Sequence, residues 1–401
     1  MSSVPVHPQS PALAALRSPG VARLLGYSLA ARAPEAVLSL LFLLRARDLG
    51  ASYALAGVIA GVAGLGMAVG FPVLGRLVDR IGQPAVLAGS VGVAAVAMTV
   101  AALLPAGTSA GALLPIALVA GATQPPVAPC LRALFGRIVP DPTVRHAALA
   151  VEASVQEITF MVGPLVFISL IAAHDPALGL GAAAAVLLVA TLLFASAREP
   201  RAMPATGVRR TAAAGPLRRP AIRALLAISV GLGVMFGATE LAITAAAEHA
   251  GDDGAVGLLL AAYCLGSLVA GLAAAHHGPS ARPVRALLVL VALCTAGHAV
   301  LAAAPSLLLL GLGLVIAGGA VAPLFTVVYS LCGRLAAEGT TTEAFTWLGS
   351  GLYAGTAAGA GVAGVLVDLA GPGAAFGVAA LAIGLSGALV VPRRAVLRPV
   401  G

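Results

Sequence analysis

Residues 70–87 read GFPVLGRLVDRIGQPAVL. Arg76, Asp79 and Arg80 stand between two long apolar runs, with Gly75 and Gly82 on either side of them. A charged side chain at the centre of a membrane helix costs about 2.5–3.5 kcal/mol on insertion scales. Three of them so close together are therefore expected at an aqueous face, in a turn joining two membrane-crossing helices. Gly75 and Gly82 would let the chain turn tightly there. Asp79 would lie where the first helix ends, able to accept hydrogen bonds from backbone groups.

The rest of the chain has the composition this reading needs. Of 401 residues, 60% are hydrophobic and 9% charged, against about 25% charged in soluble domains. Apolar runs long enough to cross a hydrocarbon layer about 30 Å thick fall near 21–44, 53–74, 85–105, 111–135, 148–172 and 178–196. Six more fall near 222–247, 254–276, 284–304, 306–331, 343–367 and 373–391. The short alternating segments of a membrane β-barrel are missing. The fold class is thus an all-α membrane protein of twelve transmembrane helices. It divides into a tail (1–20), a six-helix bundle (21–197), a basic Pro- and Gly-containing loop (198–221), a second six-helix bundle (222–391) and a second tail (392–401).

Arginine sets the orientation. The chain has 23 basic residues, all of them Arg. With the N-terminus inside and strict alternation, only Arg45 and Arg47 fall outside, Arg32 lies within a span, and all the others are on the inner side. This asymmetry predicts a multi-pass protein of the cell membrane with both termini cytoplasmic. The net charge of +8 then belongs to loops at a membrane face, and nucleic acid is not an expected partner. The first 20 residues carry no apolar core with a cleavage site, so no secretory signal is expected. Cys130, Cys264, Cys294 and Cys332 lie in apolar runs at no metal-ligand spacing, and neither a metal nor a cofactor is expected.

The two halves echo one another. Residues 65–75 read LGMAVGFPVLG and residues 265–275 read LGSLVAGLAAA. Both place small residues on one helix face, which lets backbones approach closely. Internal duplication of this kind is common in secondary transporters.

Ionisable residues inside spans need a reason. Arg32 and Glu35 are three apart and so share a helix face beside Pro34. They either pair with each other, or Glu35 faces a cavity and binds a proton or a cationic group. Glu240, in FGATELAIT, occupies the corresponding helix of the second half. In AVEASVQEITF, Glu152 reads as a first-turn acid favoured by the helix dipole. Glu157 is deeper, either a functional carboxylate or one locked to Arg132 or the 70–87 arginines. Glu343, in TTTEAFTWLGS, reads as a capping residue. Trp347 lines a cavity mouth or anchors at the interface. No phosphate-binding loop or enzyme constellation is present, so ATP is not a direct energy source and an ion gradient is the expected one.

Gly75-Arg76-Leu77-Val78-Asp79-Arg80-Ile81-Gly82 resembles the G-x-L-a-D-R-x-G-R-K signature between helices 2 and 3 of the major facilitator superfamily. Gln83 and Pro84 stand where the final basic pair would be. The resemblance in topology covers essentially residues 20–392. It implies two pseudo-symmetric six-helix bundles around a cavity that opens alternately to each side. It also implies that Asp79 and Arg80 stabilise the outward-open state. Phe160-Met161-Val162-Gly163-Pro164-Leu165 resembles the Gly-Pro segment of family antiporters, with Thr159 and Phe167-Ile168 replacing other glycines. In the helix 4 motif of proton-coupled relatives an Arg precedes Gln-Gly by three residues. Here Gln124-Pro125 replaces the pair, placing Gln124 near the cavity mouth, and Gly121 replaces the Arg.

The expected function is proton-coupled efflux of a small amphipathic organic compound, with that compound, protons and the lipid bilayer as partners and a monomer as the working unit. The alternatives are uptake or exchange of a sugar-like solute, for which Asn, Gln and Trp are few in the spans, and a membrane sensor without transport.

Overall fold

The computed structural model describes residues 10–172, 174–203, 215–252 and 254–397. Among the described residues, twelve helices are long and apolar enough to cross a membrane. They are α1 (Val21–Asp48), α2 (Tyr53–Ile81), α3 (Gln83–Leu103), α4 (Ala110–Ile138), α5 (Pro142–Ile168) and α6 (Pro176–Ser196). The second six are α7 (Pro220–His249), α8 (Ala255–His277), α9 (Pro283–Leu301), α10 (Leu307–Leu335), α11 (Thr341–Ala370) and α12 (Pro372–Val390). A short helix, Pro11–Arg17, precedes α1. Residues 204–214 of the basic loop lie outside the described residues, as do 1–9 and 398–401.

Helix starts follow local chemistry. Ser52, Asp141, Asp175 and Ser306 each accept a backbone N–H of the helix they begin. Proline in the first turn of α3, α5, α6, α7, α9 and α12 gives up a donor that has no partner there anyway. Interruptions are equally local. Gln124-Pro125-Pro126 breaks α4 between Ala122 and Val127, and α10 breaks at Gly319-Ala320. From Pro164 to Ala172 the end of α5 winds as a π-helix, since Pro164 has no N–H for the α ladder.

The opening stretch is shorter as a turn than its sequence implies. Helix α2 runs on to Ile81, and α3 begins at Gln83. The whole connection is Gly82, whose φ of +97° suits glycine. Gly75 therefore turns nothing. It is a packing position, where a Cβ would meet Thr346 Oγ1 of α11 at 2.2 Å.

The echo between the halves is a repeated contact. A Cβ on Gly66 of α2 would lie 2.6 Å from the Leu118 carbonyl of α4. One on Gly266 of α8 would lie 1.9 Å from the Val315 carbonyl of α10. In each half a small residue lets the helix pass against the first part of the broken helix.

One end of the molecule gathers the Arg-bearing connections. Arg23 pairs with Glu199 at 2.9 Å, Arg219 donates to the Leu335 carbonyl at 2.9 Å, and Arg76 pairs with Glu343 at 2.8 Å. At the other end Arg45 ties α1 to α3 through the Ala101 and Leu104 carbonyls. The two bundles meet chiefly through α2 against α11 and through α5 against α8 and α10. The named contacts lie in the halves of these helices toward the Arg-rich face, as with Gly75–Thr346, Phe71–Tyr353 and Ser154–Gly271. Helices α1 and α7 share no extended contact among the described residues.

Candidate functional site

At the Arg-rich face Asp79 caps a helix of the other bundle. Its Oδ1 accepts the Thr342 N–H at 3.1 Å and its Oδ2 the Glu343 N–H at 2.8 Å. Thr340, at the start of α11, gives that helix no side-chain cap of its own. A carboxylate there satisfies two orphan donors and meets the positive end of the helix dipole. One turn earlier on α2, Arg76 donates to Glu343 Oε1 through Nε at 3.1 Å and Nη2 at 2.8 Å. Glu343 is thus an inter-bundle ion-pair partner whose own N–H is capped by another residue. Arg80 is exposed and forms no ion pair among the described residues.

Below this contact lies a buried polar cluster. Glu152 of α5 is 1% exposed. It accepts Arg132 of α4 through two hydrogen bonds of 2.9 and 2.8 Å, and Arg32 of α1 through one of 2.9 Å. One turn on, the Gln156 side-chain carbonyl accepts both guanidiniums at 2.8 and 3.1 Å, and Tyr329 of α10 at 3.4 Å. Arg132 also stacks over the Tyr329 ring, 3.7 Å from its centroid. Glu152 is therefore the hub of the cluster and no first-turn acid, because α5 begins at Pro142 and places it in the third turn. The signal was present in the sequence, since Glu152 and Gln156 are four apart and share a face. Two intramembrane arginines also require a carboxylate between them.

Arg32 and Glu35 do not pair. Arg32 turns to Glu152, and Glu35 accepts the Tyr353 hydroxyl of α11 at 2.5 Å. That bond joins the bundles, and Tyr353 meets Phe71 edge-to-face with centroids 5.6 Å apart.

Glu157 is 3% exposed and, among the described residues, forms no ion pair and has no hydrogen-bond partner for Oε1. Its polar neighbours across the bundle boundary are Ser267 and Cys264 of α8. The Ser267 oxygen already accepts the Ala322 N–H at 3.1 Å, so its own hydrogen is free to point at the carboxyl. Glu240 also sits near Cys264. It is exposed by area yet hemmed in by protein, as a side chain projecting into a groove would be. Phe236, one turn earlier, stacks on Phe325 and meets Tyr263 edge-on.

The other sequence candidates are more structural. Gly163 lets α5 approach α1, where a Cβ would meet the Ala33 carbonyl at 2.8 Å, and Pro164 starts the π-helical segment. Gln124 is 0% exposed and donates to the Ala120 carbonyl at 3.2 Å, inside the α4 break. Trp347 is half-buried near the start of α11, its indole N–H unpaired. No group of three or more metal-ligating side chains occurs among the described residues.

Comparison with solved structures gives the fold a second footing. The human organic anion transporter MFSD10 (TETRAN) aligns with TM-score 0.70 and 20% identity, covering 92% of this chain and 97% of that one. A bacterial homologue of the iron transporter ferroportin, in an outward-facing state, aligns with TM-score 0.71 and 12% identity, covering 94% and 99%. The E. coli fucose:proton symporter FucP aligns with TM-score 0.66 and 14% identity, covering 91% and 98%. At these identities the likeness is one of fold. No curated protein matches by sequence. The sequence model of the Major Facilitator Superfamily matches residues 24–262, more than half the chain. With twelve spans, a helix-capping Asp79 between the bundles and this match, the chain belongs to the major facilitator superfamily of transporters.

Proposed function

We propose that this transporter exports a small amphipathic organic compound from the cell in exchange for protons. The Arg-rich face is cytoplasmic on this reading, and the conformation is closed there and open outward. A single observation carries the coupling. Arg32 and Arg132 share Glu152, while Glu157 is buried with no ion pair among the described residues and no partner for Oε1, Arg32 acting on it only through space. An isolated buried carboxylate is relieved by taking a proton, and a carboxylate at the boundary of two moving bundles can release it when that boundary opens. Ser267 and Cys264 become its nearest polar groups only while α5 and α8 are together.

The substrate class follows from the walls. The half-buried Tyr353 and Phe236 give aromatic surface, backed by the buried Phe71 and Phe325, and Glu35 and Glu240 add two carboxylates to it. An amphipathic molecule with an apolar body and a polar or cationic group suits that lining.

The test uses proteoliposomes holding a pH-sensitive dye, with a panel of amphipathic cations, neutral drug-like molecules and sugars. The expected result is proton movement triggered by the amphipathic compounds and lost in Glu157→Gln. Labelled compound that equilibrates without any proton movement would refute the antiport reading.

A further inference from the structure

A cavity of about 250 Å³ opens at the Arg-rich face, apart from the cluster around Glu157. Its walls come from both bundles. Arg132, Arg145 and His146 belong to α4 and α5, while Ser280, Arg334 and Thr341 come from the α8–α9 turn, the end of α10 and the start of α11. Three arginines and a histidine converge on it, and no carboxylate lines it.

Three of the nearby acids are committed elsewhere. Glu152 is held by Arg32 and Arg132. Asp141 accepts the Thr143 and Val144 N–H groups at 2.7 and 2.9 Å. Glu343 faces Arg76. Glu338 is exposed and pairs with nothing among the described residues. Arg145 and Arg334 therefore have no counter-ion among the described residues, although they are close enough to repel each other. His146 adds a ring nitrogen 3.3 Å from the Ser330 hydroxyl.

We infer that this cavity is a binding site for a phosphate-class oxyanion that bridges Arg145 of one bundle to Arg334 of the other. Guanidinium forks match phosphate oxygens in geometry and charge, and the Ser280 and Thr341 hydroxyls supply neutral donors at the rim. The site exists only while the Arg-rich face is closed, because its arginines come from opposite bundles. An oxyanion there binds that state alone and shifts the population toward it. Without the anion, the repulsion between Arg145 and Arg334 favours opening. This control rests on the alternating-access reading above, whereas binding itself does not. The phosphate group can be free or belong to an anionic lipid.

The test uses the full chain in nanodiscs. Trp347, the one tryptophan, reports on the start of α11 through its emission, and the melting temperature reports binding independently of transport. One arm titrates inorganic phosphate into phosphatidylcholine discs at constant ionic strength. The other compares phosphatidylglycerol with phosphatidylcholine discs without phosphate. A saturable rise in melting temperature with a change in Trp347 emission is expected in one arm, and the responding arm identifies the source. Arg145→Gln with Arg334→Gln should weaken it at least about tenfold, as loss of charged hydrogen bonds does. Arg145→Glu should pair with Arg334, raise the melting temperature with no anion present, and abolish the response. A rise in melting temperature without any change in Trp347 emission would keep the site and overturn its control of the gate. No response in either arm, or a response retained in the double variant, would overturn the site.

Discussion

Asp79 and Glu343 are 264 residues apart in the chain, yet the Asp79 carboxylate accepts the Glu343 backbone N–H at 2.8 Å. The bond makes the start of α11 depend on α2, so the last turn of a helix in one bundle completes the first turn of a helix in the other. Asp79→Asn keeps the shape but removes the charge that the helix start favours. Loss of that charge and of one of the two accepted bonds costs about 1 kcal/mol, or roughly a fivefold gain for the state open at the Arg-rich face. Cys130 and Cys332 are both buried in the halves of α4 and α10 toward that face. Their labelling by a water-soluble maleimide from that side should rise by a similar factor. Unchanged labelling would mean that the cap does not hold the gate.

Glu152 neutralises two buried arginines. Glu152→Gln leaves both guanidiniums without a carboxylate, and breaking a buried pair of this kind costs about 3–5 kcal/mol. A large drop in melting temperature in detergent is expected. Arg23–Glu199 is the contrast. The Arg23 side chain is 50% exposed, and surface pairs contribute about 0–1 kcal/mol, so Glu199→Gln should melt close to wild type. Equal drops in the two variants would remove the distinction between them.

Glu157→Gln should behave in the opposite way to Glu152→Gln. It removes a carboxylate that forms no ion pair among the described residues and leaves a neutral amide of the same size, so folding is expected to be unharmed or improved. Substrate counterflow should persist while pH-driven accumulation is lost. A melting temperature as low as that of Glu152→Gln would instead assign Glu157 to the scaffold.

Gly75 faces Thr346 with no room for a methyl group. Gly75→Ala must push α2 from α11 or displace the Thr346 hydroxyl, which now donates to the Glu343 carbonyl at 2.8 Å. Overpacking of this kind costs about 1–3 kcal/mol. Thr346→Ala should recover part of that loss, giving a positive coupling in a double-mutant cycle. Additive effects would show that the two positions do not meet.

Much of the fold was legible because membrane spans are written in composition. Apolar length alone marks twelve helices, and the Arg asymmetry gathers their basic connections at one end. The partners of Arg32 were not legible. Arg32 and Glu35 share a face of α1, and sequence spacing has no means of saying that α5 and α11 each bring a better partner, Glu152 and Tyr353. Gly75 shows the same limit, since a glycine beside charges reads equally as a turn or as a place where another helix passes. Asp79 was readable as a backbone acceptor, but the backbone it serves lies in the other bundle, and local pattern carries no such address.

Glycine also joins α11 to α7 along much of their length. Cβ atoms on Gly233 and Gly237 would overlap the carbonyls of Leu352 and Thr356, and those on Gly355 and Gly359 the carbonyls of Val230 and Val234. Two backbones in such contact cannot slide or roll past each other, so they tilt as one beam. Helix α11 has 30 residues, about 45 Å at 1.5 Å per residue. With its Asp79 end as pivot, a tilt of about 10° swings the far end by about 8 Å over that length. Two hydrogen bonds at one membrane surface therefore form the fulcrum of a lever whose long arm sets the width of the opposite mouth.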